Sequence, residues 1–425
     1  MREQIAEATH GHSIYEARHD EYRTDEEVPF LVSDEPFELS PEQAVELQEL
    51  GEIVYSYMDA TVDLYERDER VRALLDTGKP ELFHGLSDAR YLFYRPDIIF
   101  TDVGFQIVEV ETSPFGLGLA SILDEAYRGE GHDTLESGIS LEDQVRSHTG
   151  DTGTVVYTDK TDQYAGQLSY LADRVFSDDE SRRWTAEHVA DSPGDGSQET
   201  YRGFYLSERE TDSAVERLVN TLLESASETA SPSLTPAFEE KAILGLIFDE
   251  RWQQYFVDKL GEQAVDKLQK WIPETIIIGE EDHFIGKLPS GNNGLDELSK
   301  LSRKKRGYAL KTSGYDTDAS WAEGVSFLHE LSASRTQDVV DAARDRDGLM
   351  ILQKFQSGTK QVPMGFSNLK GEKDTMEGRV RLTPYFAAAG EAAGRLIVAK
   401  ATLVAGTDRI HAGTNTINTA VSRAN

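Results

Sequence analysis

Four charged residues within residues 95–111 have the types and spacing of a metal and phosphate site. Arg95 and Asp97 lie two apart in one largely apolar run, and Glu109 and Glu111 lie two apart in the next. Side chains alternate across a strand, so each pair lies on one face of its strand. Three carboxylates gathered on a buried strand repel one another unless a cation joins them. Hard divalent metals prefer such an all-oxygen set, and Mg²⁺ takes one or two carboxylates together with phosphate oxygens.

A β-hairpin must bring the two pairs together, and its turn sets the register. We expect residues 102–104 to form a three-residue turn, with Gly104 in the left-handed position. Thr101 then faces Phe105 across the ladder. Counting back by twos gives two charged cross-strand pairs: Asp97 with Glu109, and Arg95 with Glu111. A slip of one residue would scatter the group, and the alternative is a solvated hairpin with ordinary surface charges.

A second candidate site follows Lys311, which ends a predicted strand and precedes a glycine- and hydroxyl-rich loop. A phosphate clamp needs a point cation and backbone donors that can approach closely, which Ser313 and Gly314 allow. The Gly-Lys-Ser order of a Walker loop is absent here. An ordinary surface turn is the alternative.

Two later strands carry further polar candidates. In residues 349–355 the polar pair Gln353 and Lys354 interrupts an apolar strand, whose end can hydrogen-bond an adenine edge through its backbone. Arg379 and Arg381 add two cations to another strand. The alternatives are a plain core strand for the first segment and edge-strand surface charge for the second.

Composition limits the classes of partner. The chain has 425 residues, with 77 acidic against 43 basic side chains and a net charge of −34. That balance disfavours nucleic acid and anionic membranes, which need cationic surface. The acids are dispersed, which favours a halophilic cytoplasm, with an acidic mesophilic protein as the alternative. Cysteine is absent, and no apolar run approaches the ~20 residues of a membrane helix, so we expect a soluble cytoplasmic protein.

The elements that position these residues form an α/β (α+β) chain. We expect a polar arm over residues 1–37 and a capped helix starting at Ser40-Pro41, before the hairpin. Strands alternate with helices over residues 150–230, which predicts a small parallel α/β unit. A long helix is expected over residues 236–260. The predicted domains are 1–37, 38–148, 149–270 and 271–425.

Together these pieces resemble the ATP-grasp fold with its parts in circularly permuted order. ATP-grasp enzymes carry an Arg-x-Asp strand and, about a dozen residues later, a Glu-x-Asn strand, which hold the magnesium ions of Mg-ATP. Arg95–Asp97 and Glu109–Glu111 match that spacing. Here they precede Lys311 instead of following it, as in the permuted group that includes glutathionylspermidine synthase. The 149–270 unit then corresponds to the pre-ATP-grasp domain, and residues 271–425 to the lid, the adenine hinge and the remaining core strands.

The resemblance implies ATP and Mg²⁺ as cofactors and assigns roles to particular residues. Asp97, Glu109 and Glu111 hold the metal. Lys311 contacts the ATP phosphates, Lys287 is a second lid lysine, and Arg381 neutralises the transferring phosphate. The adenine pocket is lined by three consecutive residues: Gln353, Lys354 and Phe355. Glu111 replaces the usual Asn, and Gln353 replaces the usual acidic hinge residue.

The hypothesis that follows is an ATP-dependent carboxylate–amine ligase. Mg²⁺ would bridge the phosphates while Arg95, Lys311 and Arg381 stabilise charge on the transferring group. A substrate carboxylate would become an acyl phosphate, which an amine then attacks. The alternatives are a nucleotide-binding protein that does not turn over, and an ATP-dependent kinase on the same fold. The expected partners are small carboxylates and amines, and the oligomeric state, including a homodimer, stays open.

Overall fold

The computed structural model describes most of the chain from residue 31 onwards. The described residues are 5, 31–101, 103–135, 138–177, 181–192, 198–225, 230–278, 295, 297–319, 324–356, 361–367, 373–406 and 416–424. Lys287, the predicted second lid lysine, lies outside them.

The described part of the chain contains both β-strands and α-helices. The strands are β1 (Leu31–Val32), β2 (Phe37–Leu39), β3 (Phe93–Thr101), β4 (Gly104–Glu111), β5 (Thr152–Tyr157), β6 (Arg183–His188), β7 (Glu199–Gly203), β8 (Ala230–Ser231), β9 (Thr275–Ile278), β10 (Tyr308–Thr312), β11 (Val325–Phe327), β12 (Met350–Lys354), β13 (Val362–Ser367), β14 (Lys373–Ala387), β15 (Leu396–Val404) and β16 (Thr416–Arg423). The α-helices are α1 (Pro41–Arg67), α2 (Glu69–Asp76), α3 (Leu117–Gly129), α4 (Leu141–His148), α5 (Ala165–Tyr170), α6 (Ser213–Glu224), α7 (Ile243–Leu246), α8 (Gln253–Leu260), α9 (Glu262–Trp271), α10 (Glu297–Lys300) and α11 (Ala333–Arg344). Residues 171–176 extend α5 as a π-helix.

The main sheet joins early and late segments of the chain. Its order is β1-β16-β15-β14-β3-β4, with β13 added to β14 and β2 to β16. Arg381 in β14 pairs with Ile99 in β3 and with Thr402 in β15. The alternative of an edge strand for Arg381 is therefore wrong, because β14 has a neighbour on each side.

Helix α1 covers one face of the main sheet. Its predicted capping box is confirmed, because the Gln43 amide donates to Ser40 Oγ and the Ser40 amide donates to the Gln43 side chain. Leu47, Leu50 and Met58 on its apolar stripe are fully buried in the core they share with the sheet. The opposite face of the sheet carries the charged residues of β3 and β14, since side chains alternate along each strand.

The small parallel sheet confirms the alternation predicted for residues 150–230. Its order is β6-β5-β7-β8, and each neighbouring pair is parallel. Its predicted extension to residue 270 differs from the packing. Helices α7, α8 and α9 contribute Ile243, Phe256 and Trp271 to the core of α1 and the main sheet instead.

The third sheet, which we call the Lys311 sheet, is antiparallel with the order β11-β10-β12-β9. Leu310 and Leu352 on one face pack with α10 and α11 in a separate core. Lys311 and Gln353, the next residues along their strands, therefore lie on the opposite face. That face is turned toward the hairpin β3–β4, because Lys311 bonds to it directly.

Two predicted elements differ from the structure. Leu31 and Val32 of the predicted arm form β1 in the main sheet, and Phe37, the last residue of that arm, begins β2. The prediction of one long helix over residues 236–260 is wrong. The structure has three short elements there instead: a 3₁₀ turn (Pro236–Phe238), α7 and α8. Gly245 sits against Ile277 so closely that a Cβ would lie 2.4 Å from it, and residues 239–242 turn inward to bond with other segments.

Candidate active site

The hairpin keeps both predicted charged pairs through a β-bulge. Its turn is one residue tighter than predicted, because Thr101 pairs with Gly104. Val108 is then an extra residue in β4, next to the rung where Asp97 pairs with Glu109. The bulge restores the register that the tighter turn removes, so the predicted pairing of the charged residues is confirmed.

Arg95 is the centre of a buried ion-pair network. Its Nε lies 2.7 Å from Asp97 Oδ1, and its Nη2 lies 3.0 Å from Glu111 Oε1. Asp97 Oδ2 in turn accepts from Arg381 Nη1 at 3.1 Å. Arg95 Nη1 also donates to the Phe115 carbonyl at 2.5 Å, which ties the loop after β4 to the network.

The two carboxylates of this network have opposite pKa shifts. Burial works to raise the pKa of Asp97, but Arg95 and Arg381 outweigh it and hold that pKa below its usual value. Burial raises the pKa of Glu111 to about 7 despite Arg95, and the neighbouring Glu109 and Asp97 add to the rise. One oxygen of Glu111, Oε2, is buried without a hydrogen-bond partner in the described structure. Glu111 is therefore the carboxylate that gains most from an added cation.

Lys241 pairs with the third carboxylate. Its Nζ lies 2.7 Å from Glu109 Oε1 and also donates to the carbonyl oxygens of Ala319 (2.8 Å) and Ser313 (3.3 Å). Burial works to lower the pKa of Lys241, yet Glu109 raises it above the usual value. Lys241 lies in the inward-turning segment 239–242 and was missed because that segment was assigned to a regular helix.

Lys311 reaches the hairpin from the other sheet. Its Nζ donates to the carbonyl of Val108 at 3.1 Å and to Gln353 Oε1 at 2.7 Å. Both partners are neutral, so burial dominates and lowers the pKa of Lys311 to about 8. The bulge thus supplies the carbonyl that holds the predicted phosphate lysine beside Glu109.

Lys400 is a further buried lysine that the sequence analysis missed. It lies on β15, and its Nζ contacts Thr402 Oγ1 at 2.7 Å and Asn418 Oδ1 at 3.0 Å. Burial lowers its pKa well below the usual value, and the nearby Arg381 lowers it further. A lone lysine in the apolar run of β15 was the sequence signal for it.

Ser313 and Gly314 do not lie open to a ligand. The Ala242 amide donates to Ser313 Oγ at 2.8 Å, and a Cβ on Gly314 would lie 2.4 Å from the Glu240 carboxyl carbon. Glu240 itself is buried in an ion pair with Lys79 at 2.6 Å. A carboxylate therefore occupies the space beside the predicted phosphate loop, which counts against a phosphate there.

The predicted adenine residues separate into two groups. Gln353 is buried and bonded to Lys311, whereas Lys354 is exposed at the end of β12. Phe355 packs against Phe327 and His329, with ring centres 5.2 and 4.4 Å apart. The structure therefore brings Gln353 and Phe355, but not Lys354, to the inner side of the Lys311 sheet.

The carboxylate oxygens of the site are suitable ligands for Mg²⁺, but in this structure their partners are cationic side chains. No three His, Asp or Glu side chains in the described part of the chain are arranged to hold a metal. Asp97, Glu109 and Glu111 instead bond to arginine or lysine. Carboxylate oxygens are nevertheless the kind of ligand that Mg²⁺ prefers, and Glu111 Oε2 has no partner in the described structure.

Comparisons with known proteins bear on the fold. No protein-family model and no curated protein matches the chain. A glutathione synthetase-like effector from Globodera pallida, solved in its apo form, matches with a TM-score of 0.56 and 10% identity, over 99% of this chain and 96% of that one. The chain therefore shares the fold of that effector, and at 10% identity the likeness concerns the fold alone. None of the described helices is long and apolar enough to span a membrane.

Proposed function

We propose that the chain is an ATP-dependent carboxylate–amine ligase built on a circularly permuted ATP-grasp fold. The observation that carries the proposal is the contact between Lys311 and the Val108 carbonyl. It joins a lysine of one sheet to a carboxylate-bearing hairpin of another, across 203 positions of sequence. Carboxylates on one sheet that face a lysine on the other suit a metal-bound polyphosphate.

The residues divide into those for a metal and those for phosphate charge. Asp97, Glu109 and Glu111 would hold Mg²⁺, which when bound neutralises charge on the phosphates. Arg381 and Lys311 lie on either side of the carboxylates and would stabilise charge on the transferring phosphoryl group. Lys241 would be released from Glu109 toward the same phosphates.

The state of Lys311 also favours an anionic ligand. Burial lowers the pKa of Lys311, and an anion within contact distance would raise that pKa again by stabilising the charged form. Such chemistry depends on positioning and electrostatics, with no covalent nucleophile required. The substrate carboxylate would take the γ-phosphoryl group, and an amine would then displace phosphate.

The proposal is tested by turnover with pooled substrates. Mg-ATP is incubated with the protein in molar KCl, together with amino acids, polyamines and peptides, and ADP release is measured. ADP release that requires both a carboxylate and an amine supports the ligase. Release with a hydroxyl compound and no amine supports the kinase alternative. If calorimetry detects Mg-ATP binding but no turnover occurs, the result supports a nucleotide-binding protein. If Mg-ATP does not bind, the ligase, the kinase and the nucleotide-binding hypotheses are all contradicted.

The metal assignment has its own test. Asp97→Asn and Glu109→Gln each remove one negative charge from the proposed metal set, and we expect turnover to fall by about 100-fold or more. Glu69→Gln, at an exposed position on α2, is the matched control and should leave turnover unchanged. If both site variants keep full turnover and Mg-ATP affinity, the metal assignment is wrong.

A further inference from the structure

A small closed cavity lies behind the loop that follows β4. Its lining includes Ser113, Phe115 and Leu117 on one side and Gln167 and Arg202 on the other. All of these residues are buried. The cavity volume is about 10 Å³, which is room for one water molecule or one monatomic ion.

The N-terminus of α3 opens on this cavity. Gly116 precedes the helix with a φ of +89°, and it supplies no side chain to cap the first turn. The free N–H groups of a helix N-terminus carry partial positive charge and favour an anion. Helix α3 has 13 residues, long enough for this effect.

Gln167 provides an independent donor at the same place. Its Oε1 accepts from the Leu119 amide at 3.2 Å, which fixes the orientation of the side-chain amide. Its Nε2 must then face the other way, and it is buried without a hydrogen-bond partner in the described structure. Gln167 is only 1% exposed, so this unused donor carries a real desolvation cost.

Two buried arginines lie near the cavity, and each is paired with carboxylates. Arg202 lines the cavity, and its guanidinium pairs with Glu239 and donates to the Phe204 and Ser233 carbonyls. The Arg95 guanidinium donates to the Phe115 carbonyl from the hairpin side. The Ser113 hydroxyl donates to the Arg202 carbonyl at 3.4 Å, so the donors left for a ligand are Gln167 Nε2 and the first N–H groups of α3.

We propose that this cavity binds a single chloride ion. The ligands are Gln167 Nε2 and the N–H groups of Leu117 and Gly118 at the start of α3. This site is separate from the proposed metal and phosphate residues, and it does not depend on the chain being a ligase. Chloride binding would fix the Phe115 loop against the small parallel sheet.

The test uses bromide as a heavier substitute for chloride. Crystals of the full chain grown in potassium bromide should show anomalous scattering at this cavity. In solution, Tm should rise with potassium chloride by on the order of 2 °C more than with potassium glutamate at equal ionic strength. Both effects should vanish in Gln167→Glu, which keeps the acceptor for Leu119 and puts a carboxylate oxygen in place of the donor.

Gln167→Met serves as a second variant in case the charged side chain prevents folding. It should remove the chloride dependence of Tm while leaving the general salt response intact. A water molecule in the cavity of bromide-grown crystals would overturn the proposal. So would a wild-type Tm with the same dependence on chloride and glutamate.

Discussion

The main sheet and the Lys311 sheet both bring cations to the candidate site, but they hold them differently. Arg95 and Arg381 on the main sheet contact carboxylates, whereas Lys311 contacts a backbone carbonyl and an amide oxygen. The carboxylates raise the pKa of Arg95 although burial opposes them. Burial prevails at Lys311 and lowers its pKa to about 8.

This difference separates structural charge from charge available to a ligand. The Arg95 network is already neutralised within the protein, so it fixes the hairpin in place. Among the described residues Lys311 has no carboxylate within ion-pair distance, so it can complete its interactions with a bound anion. The following predictions test that distinction, from the largest expected effect to the smallest.

Arg95→Met should cause the largest loss of stability. It leaves Glu111 buried without its cation and Asp97 with Arg381 alone, and breaking a buried pair in this way typically costs about 3–5 kcal/mol of unfolding free energy. Urea unfolding at pH 7 measures the change. Arg90→Met is the matched control, because Arg90 is half exposed and its loss should cost under about 1 kcal/mol. Equal, small changes in the two variants would show that the network is not structural.

Lys311→Met should change the pH dependence of stability. The pKa of Lys311 is lowered on folding, so the folded state binds fewer protons between about pH 8 and 10.5. Wild-type stability should therefore rise relative to the variant across that window, by about 2–3 kcal/mol. Urea unfolding from pH 7 to 10.5 measures it, with the exposed Lys354→Met as control. A flat difference would show that Lys311 keeps its ordinary pKa.

Glu111→Gln should have a smaller effect of the opposite sign. The pKa of Glu111 is raised to about 7, so the folded state binds more protons between about pH 4.5 and 7. Wild-type stability should fall relative to the variant as pH rises through that window, by on the order of 2 kcal/mol. Thermal unfolding at pH 5 and pH 8 gives the two end points. Parallel curves for the two proteins would contradict the shift.

Arg346→Met should have the smallest effect, although Arg346 also joins two carboxylates. Its Nη2 lies 2.8 Å from Asp316 and 2.9 Å from Asp318. Those side chains are partly exposed, so water screens the pairs and their loss should cost under about 1 kcal/mol. Comparison with Arg95→Met under the same conditions isolates burial as the variable. A loss as large as that of Arg95→Met would rule burial out as the cause.

Sequence periodicity predicted the strands and helices well, but it predicted the contacts of their side chains less well. The charged rungs of the hairpin followed from alternation, although the turn was misjudged by one residue and the bulge at Val108 corrected it. The strand that carries Lys311 and the small parallel sheet were also predicted from the sequence. These features depend on local pattern, which a single sequence contains.

The missed features depend on contacts between distant segments. Lys241 and Glu240 were invisible because nothing local indicates that residues 239–242 turn inward against Ser313 and Gly314. Lys400 is a single lysine in an apolar strand, and the local sequence does not indicate that its side chain is buried. Sequence pattern predicts on which face of a strand a side chain lies, but it does not predict which charged residue of a distant segment contacts that side chain.

Because of the bulge at Val108, the tip of the hairpin can be modified without changing the register of the charged residues. Val103 at the tip is 61% exposed, and the charged rungs take their register from the bulge rather than from the tip. The chain contains no cysteine, so Val103→Cys creates a single thiol for a fluorescent dye. A dye at this position would report movement of the hairpin on ligand addition without altering the carboxylates behind it.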